Sequence, residues 1–171
     1  MIDILSLKIA TVIKQAAPDS PQSVEVLKYA LCAILNAVFI ICLSLLIGVF
    51  TGKIMGVIMV LIGFAVLRQT SGGYHLDSGT WCIIVSTAGV TLVSFAEFGQ
   101  FASHWITTVA LILALLFAPS RIEKQTRIPT KYFPMLKLLS ILIISMNYAL
   151  QLPVLSAAFL VQGLTLIRIR R

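Results

Sequence analysis

Charge is what this sequence has least of. Only six of its 171 residues are acidic and 13 are basic, so charged residues make up 11% of the chain. Soluble domains carry about 25%, and a globule of this length has too much surface to cover with so little charge. Also missing are any internal repeat, any low-complexity tract and any nucleotide-binding glycine motif. A GxSxG-type elbow is absent as well, which excludes the usual serine hydrolase arrangement. Disorder is excluded by the opposite feature: 59% of the residues are hydrophobic, whereas disordered chains are poor in apolar groups.

What is present is a series of apolar runs. A membrane-spanning helix needs about 20 mostly apolar residues, with a range of roughly 17–25. Residues 30–50 form a run free of charge, and further runs occupy 54–67, 81–96, 98–118, 138–152 and 154–167. The sequence therefore predicts an all-α integral membrane protein with about six transmembrane helices. Four firm spans with two shallower helices is the alternative, because several runs are short for a full crossing. With six crossings and both termini in the cytoplasm, every basic residue except Lys53 falls on the inner side. That asymmetry is what the positive-inside rule demands, and it reads the net charge of +7 as topology rather than as a nucleic-acid footprint.

Before the first span, Ile2, Leu5, Ile9, Val12 and Ile13 recur at helical spacing among polar residues. This predicts an amphipathic helix over 1–17 lying on the inner membrane surface. Charges interrupt its apolar run and no cleavage site follows, so it does not read as a signal peptide. The whole chain, 1–171, is then one membrane domain with its spanning helices inside 24–167. Gly52 and Gly56 have the spacing that lets a helix pack closely against a neighbour.

The polar residues concentrate between the second and third runs, in the loop 68–82. It contains Arg68, Gly72, Gly73, His75, Asp77 and Cys82. Polar groups at membrane depth are costly and are functional candidates by default. Cys82 is placed in the first turn of the third spanning helix, where the positive end of the helix dipole favours negative charge. In the reducing cytoplasm a thiol stays free to act as a nucleophile. Cys32 and Cys42, inside the first run, read as packing residues.

His75 is the matching base. On a continuous helix it would stand about 10 Å from Cys82 at 1.5 Å per residue, too far for a thiol–imidazole hydrogen bond. Gly72, Gly73 and Gly79 allow the chain to fold back and close that gap. Asp77 either orients His75, caps the next helix or faces water. A metal centre is not expected, since His75, Asp77 and Cys82 match no common zinc spacing. A second inner loop, 119–137, carries Arg121, Lys124, Arg127 and Lys131 three or four residues apart. Such a stripe suits topology control and contact with anionic lipid.

The set Arg68, Gly72, Gly73, His75 and Cys82, lying between two hydrophobic runs, resembles the signature of the accessory gene regulator B (AgrB) family. Length, basic hydrophobic composition and the amphipathic N-terminus are similar too. The resemblance implies a cysteine endopeptidase of the bacterial cell membrane, active in quorum sensing on the cytoplasmic side. It implies that His75 and Cys82 form the catalytic pair and that Arg68, Gly72 and Gly73 support them. The substrate would be a small precursor peptide cut toward its C-terminal side through a thioester on the cysteine. An internal Cys or Ser of the peptide would then close a thiolactone or lactone ring. It further implies a homodimer, no cofactor, and a precursor with an acidic tail that Arg121, Lys124, Arg127 and Lys131 could receive.

The competing expectation is a non-enzymatic small transporter, channel or holin-like protein. A carrier or pore should place ionisable residues inside its spans, and these runs have almost none.

Overall fold

A computed structural model describes residues 2–74, 78–120 and 129–167. They form seven α-helices: α1 (Ile2–Ala16), α2 (Val24–Phe50), α3 (Ile54–Ser71), α4 (Gly79–Ser94), α5 (Gln100–Phe117), α6 (Phe133–Leu150) and α7 (Pro153–Thr165), with a 3-10 turn at Thr130–Tyr132 before α6. Four helical segments are long and apolar enough to cross a membrane: Val24–Phe50, Ile54–Ser71, Gln100–Phe117 and Thr130–Leu150. α4 and α7 are shorter, at 16 and 13 residues. At 1.5 Å per residue they reach about 24 and 20 Å, less than the roughly 30 Å hydrocarbon core.

Tight turns set the hairpins. The Ser23 hydroxyl caps α2 by accepting from the Val26 N–H. The far end of α2 closes where Gly52 takes a φ of +69° and the Lys53 N–H donates to the Gly48 carbonyl. Between α6 and α7, the Asn147 side chain accepts from the Leu152 N–H and donates to the Leu152 carbonyl, and Pro153 opens the next helix.

Burial runs opposite to that of a soluble protein. Ser44, Ser71, Ser140, Ser156 and Gln162 are completely buried, while Phe50, Phe101 and Leu92 are at least three-quarters exposed. Between helices in lipid there is no hydrophobic drive to associate, so small and hydroxylated residues take the interfaces and large apolar ones face the solvent of the fold, the acyl chains. One apolar core joins α3, α5, α6 and α7 through Leu67, Ala114, Ile144 and Phe159. A second joins α3, α4 and α7 through Val57, Val60, Val90 and Ala158. Gly56 gives the close approach expected of it: a Cβ there would stand 2.8 Å from the Ser94 carbonyl oxygen of α4.

α1 packs on α2 through Ile2, Ser6 and Ala10. The stripe expected to anchor it, with Leu5, Val12 and Ile13, stays exposed. The small face therefore meets the protein, and the apolar face is left for the membrane interface.

The helix ends sort into two groups. At one end, the Gly73 N–H donates to the Ser120 carbonyl (2.9 Å) and the Tyr74 N–H to the Thr165 carbonyl (3.0 Å), gathering the ends of α3, α5 and α7. At the other, Lys53 and Glu97 form an ion pair, and the Lys53 ammonium lies 5.7 Å from the Phe95 ring centroid. The hydrogen bond and charge from Lys53 hold the Glu97 carboxyl below its ordinary pKa.

Candidate functional site

The segment read as one loop, 68–82, is mostly helix ends. Arg68 and Ser71 belong to the last turn of α3, and α4 begins at Gly79. Gly72 closes α3 with φ 72° and ψ −141°, and Gly73 follows with φ 128°. Both angles lie where L side chains are strained, so the pair is a turn that only glycine makes without cost.

Cys82 occupies the first turn of α4, as its position in the sequence suggests. Its N–H makes the first intrahelical bond, to the Ser78 carbonyl at 2.9 Å. The N–H groups before it have no acceptor within the helix, and the Ser78 side chain does not cap them. The thiol is half-buried, and its Sγ lies 4.0 Å from the Ser86 Oγ. Arg68 stands in the last turn of α3, at the same end of the bundle. Its guanidinium donates to the Tyr74 carbonyl (2.9 Å) and lies 5.8 Å from the Phe64 ring centroid. The Cys82 thiol and the Arg68 guanidinium thus come from different helices to one end of the bundle.

His75 and Asp77 lie outside the described residues, as do Arg121, Lys124 and Arg127. Lys131 sits in the 3-10 turn with its ammonium 4.9 Å from the Tyr132 ring centroid. The basic loop read as 119–137 ends earlier than expected, because α6 begins at Phe133.

The glycine N–H groups are occupied. That of Gly72 donates to the Arg68 carbonyl and that of Gly73 to the Ser120 carbonyl, each at 2.9 Å. Their visible work is to shape and anchor the turn, which differs from donation to a substrate oxyanion.

Sequence reasoning missed four groups around this turn. Ser120 bonds the turn on both sides, its N–H donating to the Ser71 carbonyl (2.9 Å). Thr165 and Gln162 reach it from α7. Asn36 of α2 lies against Gly79, where an added Cβ would meet its amide at 3.2 and 3.3 Å. Cys32, read from the sequence as a packing residue, is next to it, with its thiol 3.9 Å from the Asp3 carboxylate of α1. The available signal was a lone amide inside each apolar run, Asn36 in one and Gln162 in the other.

The sequence profile described as Accessory gene regulator B matches residues 6–167. An AgrB-like protein of Halalkalibacterium halodurans is 30% identical over 100 residues, covering 58% of this chain and 51% of the relative. The chain thus spans about half the length of that curated relative. No solved structure matches. The profile match extends over nearly the entire sequence, and the chain belongs to the accessory gene regulator B family.

Proposed function

We propose that the chain is a membrane-embedded cysteine endopeptidase that processes a quorum-sensing precursor peptide and leaves it ready to cyclise. The observation that supports this reading is that Cys82 opens α4 while Arg68, in the last turn of α3, bonds the Tyr74 carbonyl at the glycine turn that precedes His75 in the chain. His75 takes the thiol proton as Cys82 attacks the scissile carbonyl. Arg68 and the N–H groups at the start of α4 supply positive potential for the tetrahedral oxyanion. His75 returns the proton to the leaving amine, so the C-terminal fragment departs and the N-terminal fragment stays as a thioester on Cys82. An internal Cys or Ser of that fragment attacks the thioester, closes the ring and releases the thiolate. Ring closure exchanges one activated acyl bond for another, so that step draws on neither nucleotide nor metal. In this reading Asp77 orients His75, and Arg121, Lys124, Arg127 and Lys131 are the dock for an acidic precursor tail. The functional unit is a homodimer in the bacterial cell membrane.

A transporter or pore has less support. Among the described residues, every buried polar side chain is a neutral Ser, Thr, Asn or Gln, and none is ionisable.

The test is capture of the acyl-enzyme. The full chain is co-expressed with a short peptide encoded beside it that has an amphipathic helix, a Cys- or Ser-containing core and an acidic tail. Mass spectrometry is expected to find an adduct on the Cys82 peptide that hydroxylamine removes. A chain that cleaves the precursor without any adduct at Cys82 would overturn the mechanism.

Sidedness has its own measurement. With the three native cysteines replaced by Ser, Gly99→Cys is expected to react with an impermeant maleimide in intact cells, and Lys131→Cys only after permeabilisation. Both sites are exposed, whereas Ser120 is fully buried and would be silent from either side. The reverse labelling pattern would put the Cys82 end of the bundle outside.

A further inference from the structure

Gln162 is a full amide with no exposed surface, placed in the apolar run of α7. Burying such a group is costly unless each polar atom is paired. Its pairing is complete and its direction is fixed. The Nε2 donates to the Gly72 carbonyl (2.6 Å) and to the Ser71 Oγ (3.0 Å). A carbonyl can only accept, so the nitrogen must face the turn. The Oε1 accepts from the Thr165 Oγ1 (3.2 Å), whose hydroxyl also reaches the Gln162 carbonyl (2.7 Å).

The other buried amide and hydroxyl contacts behave differently. Ser140 to Thr70 links α6 with α3, and Asn147 to Thr107 and Ser156 links α6 with α5 and α7. Those bonds join helix to helix, and Asn147 also holds the turn that directly follows its own helix, at Leu152. Gln162 instead reaches from α7 to a turn 90 residues away in the chain, holding its backbone at Gly72 as well as the Ser71 hydroxyl. Around 71–74 further holds also fall on backbone, among them Ser71 to Ser120, Gly73 to Ser120, Tyr74 to Thr165, and Tyr74 to the Arg68 guanidinium. Gly73 is matched to this clamp, because a Cβ there would lie 2.6 Å from the Thr165 Oγ1 and 3.3 Å from the Gln162 Nε2.

We propose that Gln162 is a positioning residue for the catalytic pair: it holds the Gly72–Gly73 turn and so fixes the backbone up to Tyr74, the residue that precedes His75 in the chain. This rests on the proposed Cys82–His75 chemistry. Gln162 itself touches no reacting atom. The substitution that isolates it is Gln162→Leu, which keeps the bulk and removes the bonds.

Two readouts in the full chain, in nanodiscs, test it without any substrate. The first is amide hydrogen exchange of the peptide covering 72–74. The second is the alkylation rate of Cys82 by iodoacetamide, read on its own peptide by mass spectrometry. Gln162→Leu is expected to speed exchange in 72–74 by about tenfold, the loss of roughly one good hydrogen bond, with exchange in α5 and α6 unchanged. It is expected to slow Cys82 alkylation to the level of His75→Ala, and the double variant to be no slower than either single one. Ser140→Ala, which cuts a helix-to-helix bond instead, should change neither rate. If Gln162→Leu fails to fold, Thr165→Val, which strips the partner of Oε1, is expected to move both rates in the same direction. Unchanged exchange, or slowed alkylation in His75→Ala but not in Gln162→Leu, would overturn the positioning role alone. Alkylation indifferent to His75→Ala would overturn the catalytic pair and the positioning role with it.

Discussion

Cells expressing Cys82→Ala are expected to leave the precursor intact. Alanine removes the only atom in the mechanism able to hold the acyl group, so no slower version of the same route remains. His75→Ala is expected to leave a trace of cleavage, lower by about a thousandfold, the middle of the range for a general base. That factor corresponds to about 4 kcal/mol of barrier. The two effects should not add in the double variant, because one proton transfer needs both groups. Cys42→Ser serves as the control, since Cys42 lies in α2 with an exposed side chain and should process normally. The measurement is conversion of a tagged precursor on gels and by mass spectrometry, normalised to membrane-inserted protein. Full cleavage by either the Cys82 or the His75 variant would sink the mechanism.

Gly73→Ala is expected to have the next largest effect. At a φ of 128° the added methyl makes the backbone costly by about 1–3 kcal/mol. It also drives the Cβ to 2.6 Å from the Thr165 Oγ1, so the turn cannot keep its place against α7. Processing should fall by about a hundredfold or more, while the helices, held by their own packing, still insert. Gly52→Ala separates the two causes. Gly52 has a positive φ of 69° but nothing within 4 Å of the added Cβ, and it lies at the opposite end of the bundle. It should lower thermal stability by about 1 kcal/mol and leave processing unchanged. Wild-type processing by Gly73→Ala would remove the turn from the mechanism.

Much of this architecture was legible in the sequence. The charge-free run 30–50 became the core of α2, and the polar break around Gly52 became a hairpin turn. The motif fell between two helices, with Cys82 at the start of the second. Three things were not legible, each for a physical reason. The fate of the glycine N–H groups depends on Ser120, whose carbonyl arrives from the end of a helix two elements further on. Gln162 acts on a turn 90 residues earlier in the chain, and periodicity carries no information about such a pair. The packing face of α1 was not read at all, because hydrophobicity in a bilayer reports contact with lipid: Leu5 and Val12 mark the membrane side, and Ser6 and Ala10 mark where the helix meets its neighbour.

The bridge at Ser120 couples two places that are otherwise described apart. Ser120 is held by Ser71 on one side and Gly73 on the other, and the next peptide bond leads to Arg121, the first cation of the basic stretch. The segment proposed to receive the precursor's tail and the turn proposed to present His75 are therefore mechanically in series. One covalent link and two hydrogen bonds thus separate the residue that opens the basic stretch from the glycine turn.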